Sequence, residues 1–191
     1  MMNKEYIFGS LIAGFLIGLG VIICALSSPP ILGAFLFSFG LLMIIHLRFP
    51  LYTGRIGLLN DKWLPVMLLG NLVGVAAAAL LYVSAFPAFA STLATIAAAK
   101  FAKSFLSFFV CGIFCGVLIH FAVLSKNKLL TSMAVIIFIL IGAEHCIAAF
   151  PYLLFCFSFQ NLLKFLLIIA GNSIGAIILD KLVGKQVRAL Q

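Results

Sequence analysis

Long apolar runs, each closed by a few polar or helix-breaking residues, organise the chain. The first covers residues 6–26 and stops at Ser27-Ser28-Pro29-Pro30, where paired prolines cannot continue a helix. The second starts at Ile31, stays apolar to Leu47, and then meets Arg48, Pro50, Thr53, Gly54 and Arg55. Pro50 and Gly54 predict a broken helix there, and broken backbone at membrane depth is tolerated only where it is buried or lines a cavity. A loop at Asn60-Asp61-Lys62 leads into a third run over 63–86. Residues 87–103 form the longest connection, small and Ala-rich, and are expected to be partly helical. A fourth run over 104–124 turns at Lys126-Asn127-Lys128 into a fifth over 129–150, predicted to break at Pro151. The sixth covers 161–183 and precedes a short basic tail. Runs of about 20 apolar residues match the bilayer core, so the pattern predicts six crossings. The first run is too long for a signal-peptide core of about 7–15 residues and reads as a retained span.

The second half repeats the first. Gly70-Asn71-Leu72-Val73-Gly74 returns as Gly171-Asn172-Ser173-Ile174-Gly175, 101 positions later. At the same offset Phe49-Pro50-Leu51-Tyr52 meets Phe150-Pro151-Tyr152-Leu153, and Phe37 meets Phe138. Gly14 and Gly18 answer Gly112 and Gly116 at an offset of 98. Each unit (about 5–86 and 104–183) holds three crossings within one transmembrane domain spanning 1–191. An odd number turns the second unit upside down, which predicts an inverted repeat with helices 2 and 5 broken. The Gly-x-x-x-Gly motifs let helices approach closely.

Composition sharpens this picture. Hydrophobic residues make up 65% of the chain and charged residues 8%, which excludes a soluble domain. The net charge of +8 would suggest nucleic acid in a soluble protein, but here the basic residues sit at span ends and report topology. Lys4, Arg48, Arg55, Lys62, Lys126, Lys128, Lys181, Lys185 and Arg188 fall on one side, against Lys100, Lys103 and Lys164 on the other. That asymmetry predicts both termini in the cytoplasm. The five cysteines all lie in apolar runs; Cys111 and Cys115 are four apart without carboxylate or histidine at metal-ligand spacing beside them, and the set reads as packing residues.

Ionisable groups inside spans are costly and mark function. Glu144-His145 stands out on that ground. His145 can bond loop backbone or exchange a proton with a solute, and Glu144 can anchor the helix end. Lys100 is either a vestibule charge or an ordinary solvated lysine. His46 and Arg48 flank the first break and can simply mark the membrane boundary. Asn71 and Asn172 are amides able to bridge the irregular backbone of a broken helix. Thr53 offers a hydroxyl within the first break.

These residues resemble the formate/nitrite transporter family over nearly the whole chain. Phe37-Ser38-Phe39-Gly40-Leu41 with Leu51-Tyr52-Thr53-Gly54 is similar to that family's second helix and loop, and Trp63 followed by Gly70-Asn71-Leu72-Val73-Gly74 to its third helix. Lys100 ahead of Cys115-Gly116, the run Gly142-Ala143-Glu144-His145-Cys146-Ile147-Ala148, and Gly171-Asn172-Ser173-Ile174-Gly175 complete the series. The resemblance implies an aquaporin-like protomer in a homopentamer, passing formate, nitrite, hydrosulfide or short carboxylates without a cofactor. It implies that Lys100 attracts the anion and that Thr53 and His145 line the centre. Phe37, Leu41, Ile119 and Phe138 would form two apolar constrictions. The chain departs from the family at Gly116, Ala149, Pro50 and Arg48, and lacks its amphipathic N-terminal segment.

A channel or proton-coupled transporter for small weak-acid anions is therefore the leading expectation. A membrane-embedded substrate-binding subunit of a vitamin importer is the alternative, and an intramembrane enzyme has the thinnest support because Glu144 and His145 lack a metal set or nucleophile.

Overall fold

A computed structural model describes residues 4–59 and 61–189. Asn60 of the predicted loop, and the side chain of Arg188 counted in the topology, lie outside the described residues. Among the described residues four helices are long and apolar enough to cross a membrane: α1 (Lys4–Leu26), α4 (Leu64–Ala85), α6 (Phe105–Ser125) and α9 (Phe159–Leu179). The last continues through a wider π-type turn at Asp180–Gly184. Between them lie α2 (Pro30–His46), α3 (Tyr52–Arg55) with a 3-10 turn at Ile56–Leu58, α5 (Phe89–Phe101), α7 (Lys128–Leu140) and α8 (Cys146–Phe155). A short α10 (Lys185–Ala189) ends the described chain.

The bundle is built from two tightly apposed pairs, α1 on α4 and α6 on α9. Small residues set that approach. A Cβ on Gly14 would collide with the backbone carbonyl of Asn71, and one on Gly116 with the carbonyl of Asn172. These contacts correct the glycine register read from sequence. Gly14 corresponds to Gly116 and not to Gly112, because the asparagines fix which turn of the neighbouring helix comes closest.

The breaks are corrected too. The second break does not fall at Pro151, which sits inside α8. The proline removes one ladder bond, to the Ile147 carbonyl, and α8 runs on past it to Phe155. The exit from α7 comes earlier, at Gly142, which has a φ of 70°. Likewise Gly54 does not break the chain but lies within α3; the exit from α2 is at Arg48, with a φ of 58°. The two exits share one hydrogen-bond pattern. Arg48 N–H bonds Ile45 O and Phe49 N–H bonds Ile44 O; Gly142 N–H bonds Ile139 O and Ala143 N–H bonds Phe138 O. This is the Schellman arrangement at both ends. The two exits are 94 positions apart, so the offset of 101 holds for the asparagines but not for the broken segments.

The connection after α4 is a defined helix. Phe89, Leu93, Ala97 and Phe101 recur every four residues and form the buried face of α5. Its last turn delivers Lys100 and, just beyond, Lys103. Lys164, read from sequence as a boundary charge, is instead buried and donates to the Phe101 carbonyl at 2.6 Å. A cation there complements the negative end of the α5 dipole.

Candidate functional site

The two breaks are held by asparagines in matching ways. Asn71 Nδ2 donates to the carbonyls of Ser10 (2.8 Å) and Pro50 (2.9 Å), while its Oδ1 accepts from Tyr52 N–H (2.9 Å). Asn172 Nδ2 donates to the carbonyls of Gly112 (2.8 Å) and Glu144 (2.7 Å), and its Oδ1 accepts from Cys146 N–H (2.9 Å). Each fully buried amide therefore supplies two bonds that the interrupted helix cannot make for itself, and a third that ties the break to α1 or α6.

The tips of the half-helices meet at the centre. Thr53 Oγ1 in α3 lies 2.9 Å from Nε2 of His145, the residue that caps α8. His145 Nδ1 accepts from Ala148 N–H at 3.2 Å. A ring nitrogen that accepts carries no proton, so in the neutral ring the proton is on Nε2 and Thr53 accepts it. The threonine hydroxyl keeps its own hydrogen to donate.

Two cavities approach this pair from opposite ends. One, of about 130 Å³, is lined by His145, Glu144, Lys100, Tyr152 and the rings of Phe37 and Phe138. The other, of about 220 Å³, is lined by Leu41, Ile44, Leu51, Gly54, Arg48 and Arg55. Phe37 and Phe138 contact edge to face, with centroids 5.9 Å apart, and Phe138 stacks on His145 at 6.0 Å. Thr53 belongs to the partition and lines neither cavity. Ile119, buried on α6, lines neither as well. His46 stands at the end of α2, outside both.

Each mouth is cationic. Lys100 Nζ lies 2.6 Å from Glu144 Oε2 and Lys103 Nζ 3.0 Å from Oε1, with the carboxylate only 1% exposed. Two ammonium groups on one carboxylate leave a formal charge of +1 at this mouth. Lys100 is thus neither a lone vestibule charge nor a merely solvated one, and its ammonium also stands 5.5 Å from the Tyr152 ring centre. At the other mouth Arg55 pairs loosely with Asp61 at 3.5 Å. Burial raises the Asp61 pKa, but hydrogen bonds from the Tyr6 hydroxyl and Trp63 N–H, with the Arg55 charge, outweigh it and hold the carboxyl below its usual range.

Sequence reasoning read Lys103 and Arg55 only as topology charges and Tyr152 only as part of the repeat. The three-residue spacing of Lys100 and Lys103 was the available signal for the first, since it places both at one helix end. It also passed over His120, whose Nε2 lies 3.0 Å from Asp180 Oδ1 and whose buried Nδ1 has no partner. A lone histidine in an apolar run gives no spacing from which to read such a pair.

Apolar helices around two cavities that face each other across a partition of interrupted helices define a multi-pass membrane transport protein. The sequence matches the formate/nitrite transporter family over residues 1–184, and the chain belongs to that family. Among solved structures it is similar to one described as an FNT family ion channel, with a TM-score of 0.78 and 23% identity, over 91% of this chain and 86% of that one. It is also similar to a pentameric formate channel with formate bound, with a TM-score of 0.76 and 18% identity, over 98% and 97% of the two chains. A comparison with curated proteins found no match. The importer-subunit alternative gains no support from these likenesses.

Proposed function

We propose that the protein is a channel or proton-coupled transporter for small monovalent weak-acid anions, with formate the first candidate and nitrite, hydrosulfide and short carboxylates behind it. The observation that carries this reading is the pair of cation-mouthed cavities separated by the Phe37–Phe138 contact and the Thr53–His145 hydrogen bond. Both are smaller than the roughly 300–1,000 Å³ that drug-sized ligands occupy, which favours a solute of a few heavy atoms over a vitamin.

The physics of passage follows from the site. The net positive charge at Lys100, Lys103 and Glu144 concentrates anions at the mouth. A bare anion between phenyl rings loses its hydration without compensation, whereas the protonated acid carries no net charge to desolvate. His145 Nε2–H and the Thr53 hydroxyl can hand hydrogen bonds to the solute as it leaves water. His145 acts as a donor and not as a proton store, because protonating Nδ1 would displace the Ala148 N–H. The neutralising proton then comes from water in the cavity.

In this reading each broken pair, α2 with α3 and α7 with α8, makes one crossing. Six crossings form two inverted three-helix units, repeat 1 about 5–86 and repeat 2 about 104–183. The matching asparagine brackets and helix exits support that arrangement. The protomers assemble as a homopentamer with one path each, both termini lie in the cytoplasm, and the Lys100 mouth faces outward in the cell membrane. The pentameric relative supports the assembly.

The test is uptake of labelled formate into proteoliposomes under an inward proton gradient. Gradient-stimulated uptake that is lost in His145→Ala, with the oligomer intact, fits the proposal. No uptake by a folded oligomer for any of the four anions would overturn it.

A further inference from the structure

A third cavity, the largest of the three at about 490 Å³, lies between the end of α2 and the turn from α6 into α7 and shares only Ile45 and Arg48 with the second. Its rim carries four basic side chains: His46, Arg48, Lys126 and Lys128. Below them the wall is apolar, formed by Phe39, Leu42 and Met43 of α2. Phe39 and the neighbouring apolar residues Leu129, Leu130 and Met133 of α7 are exposed beside it. We infer that this groove is a binding site for an anionic phospholipid, with the phosphate among the four basic groups and an acyl chain along Phe39, Leu42 and Met43.

Three observations support that occupant. First, the charge is uncompensated: among the described residues no salt bridge involves any of the four. Second, the acidic side chains of the described residues already have interactions of their own within the chain. Of the four acidic residues in the chain, Glu144 is held by two lysines, Asp61 by Tyr6, Trp63 and Arg55, and Asp180 by His120, while Glu5 is also engaged. A second copy seated here would bury like charge, whereas an anionic headgroup neutralises it. Third, Arg48 and Lys126 occupy left-handed backbone, with φ of 58° and 50°. Glycine would sit there at lower cost, so the chain retains strain where it retains these cations. A basic pocket at the end of membrane helices, continuous with an apolar wall, matches a phospholipid in both charge and shape.

The site is independent of what passes through the pore, and its test does not use transport. Purified protein in neutral detergent is titrated with phosphatidylglycerol while thermal unfolding is followed, with phosphatidylcholine and glycerol phosphate as parallel arms. Phosphatidylglycerol is expected to raise the unfolding temperature, and the other two are not. Lys126→Gln with Lys128→Gln should move the half-effective lipid concentration up about 25-fold, fivefold for each basic group removed. Lys185→Gln, on an exposed lysine elsewhere, should leave the titration unchanged. If the double variant does not fold, Lys128→Gln alone should give the fivefold shift. An equal response to phosphatidylcholine, a full response to glycerol phosphate, or wild-type titration by the lysine variants would overturn the site. So would an equal loss in Lys185→Gln, which would mean diffuse attraction.

Discussion

The two broken helices share a scaffold but differ in their chemistry. Both leave through a Schellman turn, both are bracketed by a buried asparagine, and both asparagines are approached by a glycine across the helix pair. What differs is what stands on the bracket. The second break places Glu144 and His145 there, tied to two lysines and to Thr53. The first places Pro50 and Leu51 there, and its α3 begins without a side-chain cap. The backbone solution to interrupting a helix in an apolar environment is thus used twice, while the ionisable chemistry is concentrated once. The first break contributes a hydroxyl, and the arginines beside it face the opposite cavity.

Removing the scaffold should have the largest effect and should strike both halves alike. Asn71→Ala and Asn172→Ala each leave two buried backbone groups of a broken segment unpaired, at about 1–3 kcal/mol apiece, and remove a further bond to a carbonyl of α1 or α6. Both variants are expected to lose most of their folded oligomer, measured as monodisperse yield and unfolding temperature. If only one does, the brackets are not equivalent.

Removing chemistry should strike the halves differently. Lys100→Ala takes the formal charge of its mouth from +1 to zero, with Lys103 still on Glu144. Anion uptake should fall about tenfold at low ionic strength and much less at high salt, with assembly preserved. Uptake that does not change would return Lys100 to the role of a surface residue.

The exits allow a finer comparison. Arg48→Gly should relieve about 1 kcal/mol of left-handed strain, and Gly142→Ala should introduce about as much. In lipid-free detergent the unfolding temperature is expected to rise by about 2–4 °C in the first and fall by a similar amount in the second. Shifts of the same sign would contradict the shared turn.

The smallest effect concerns Asp61, which ties the loop after the first break to α1 and Arg55. Its folded pKa lies below its unfolded one. It therefore contributes stability that is complete above the unfolded pKa and is lost as pH falls through the folded pKa. Asp61→Asn should flatten the acid side of the stability–pH curve and leave its neutral side parallel to wild type.

Much of this design could be read from the chain. Apolar run lengths located α1, α4 and α6 to within a residue or two and the end of α9 to within four, and the paired Gly-Asn-x-x-Gly motifs pointed at both brackets. Glu144 and His145 stood out because ionisable groups are rare in such runs. The exact places of the breaks were not legible. Proline inside a helix removes a single bond, and α8 carries Pro151 in its interior without ending there. Arg48 gave no sign of left-handed backbone, since arginine rarely adopts it. The matched Phe-Pro pairs suggested one repeat register, but hydrogen bonding set two. The grip of two lysines on Glu144 depended on α5, which a small-residue connection conceals.

The central claim is that the solute crosses the partition as a neutral acid formed beside Thr53 and His145. The most direct measurement is formate flux into proteoliposomes between pH 5 and pH 8, with the membrane potential clamped at several values. The account predicts flux that rises as pH falls and does not respond to potential. Flux that follows the potential and ignores pH would mean that the bare anion crosses, and would contradict it.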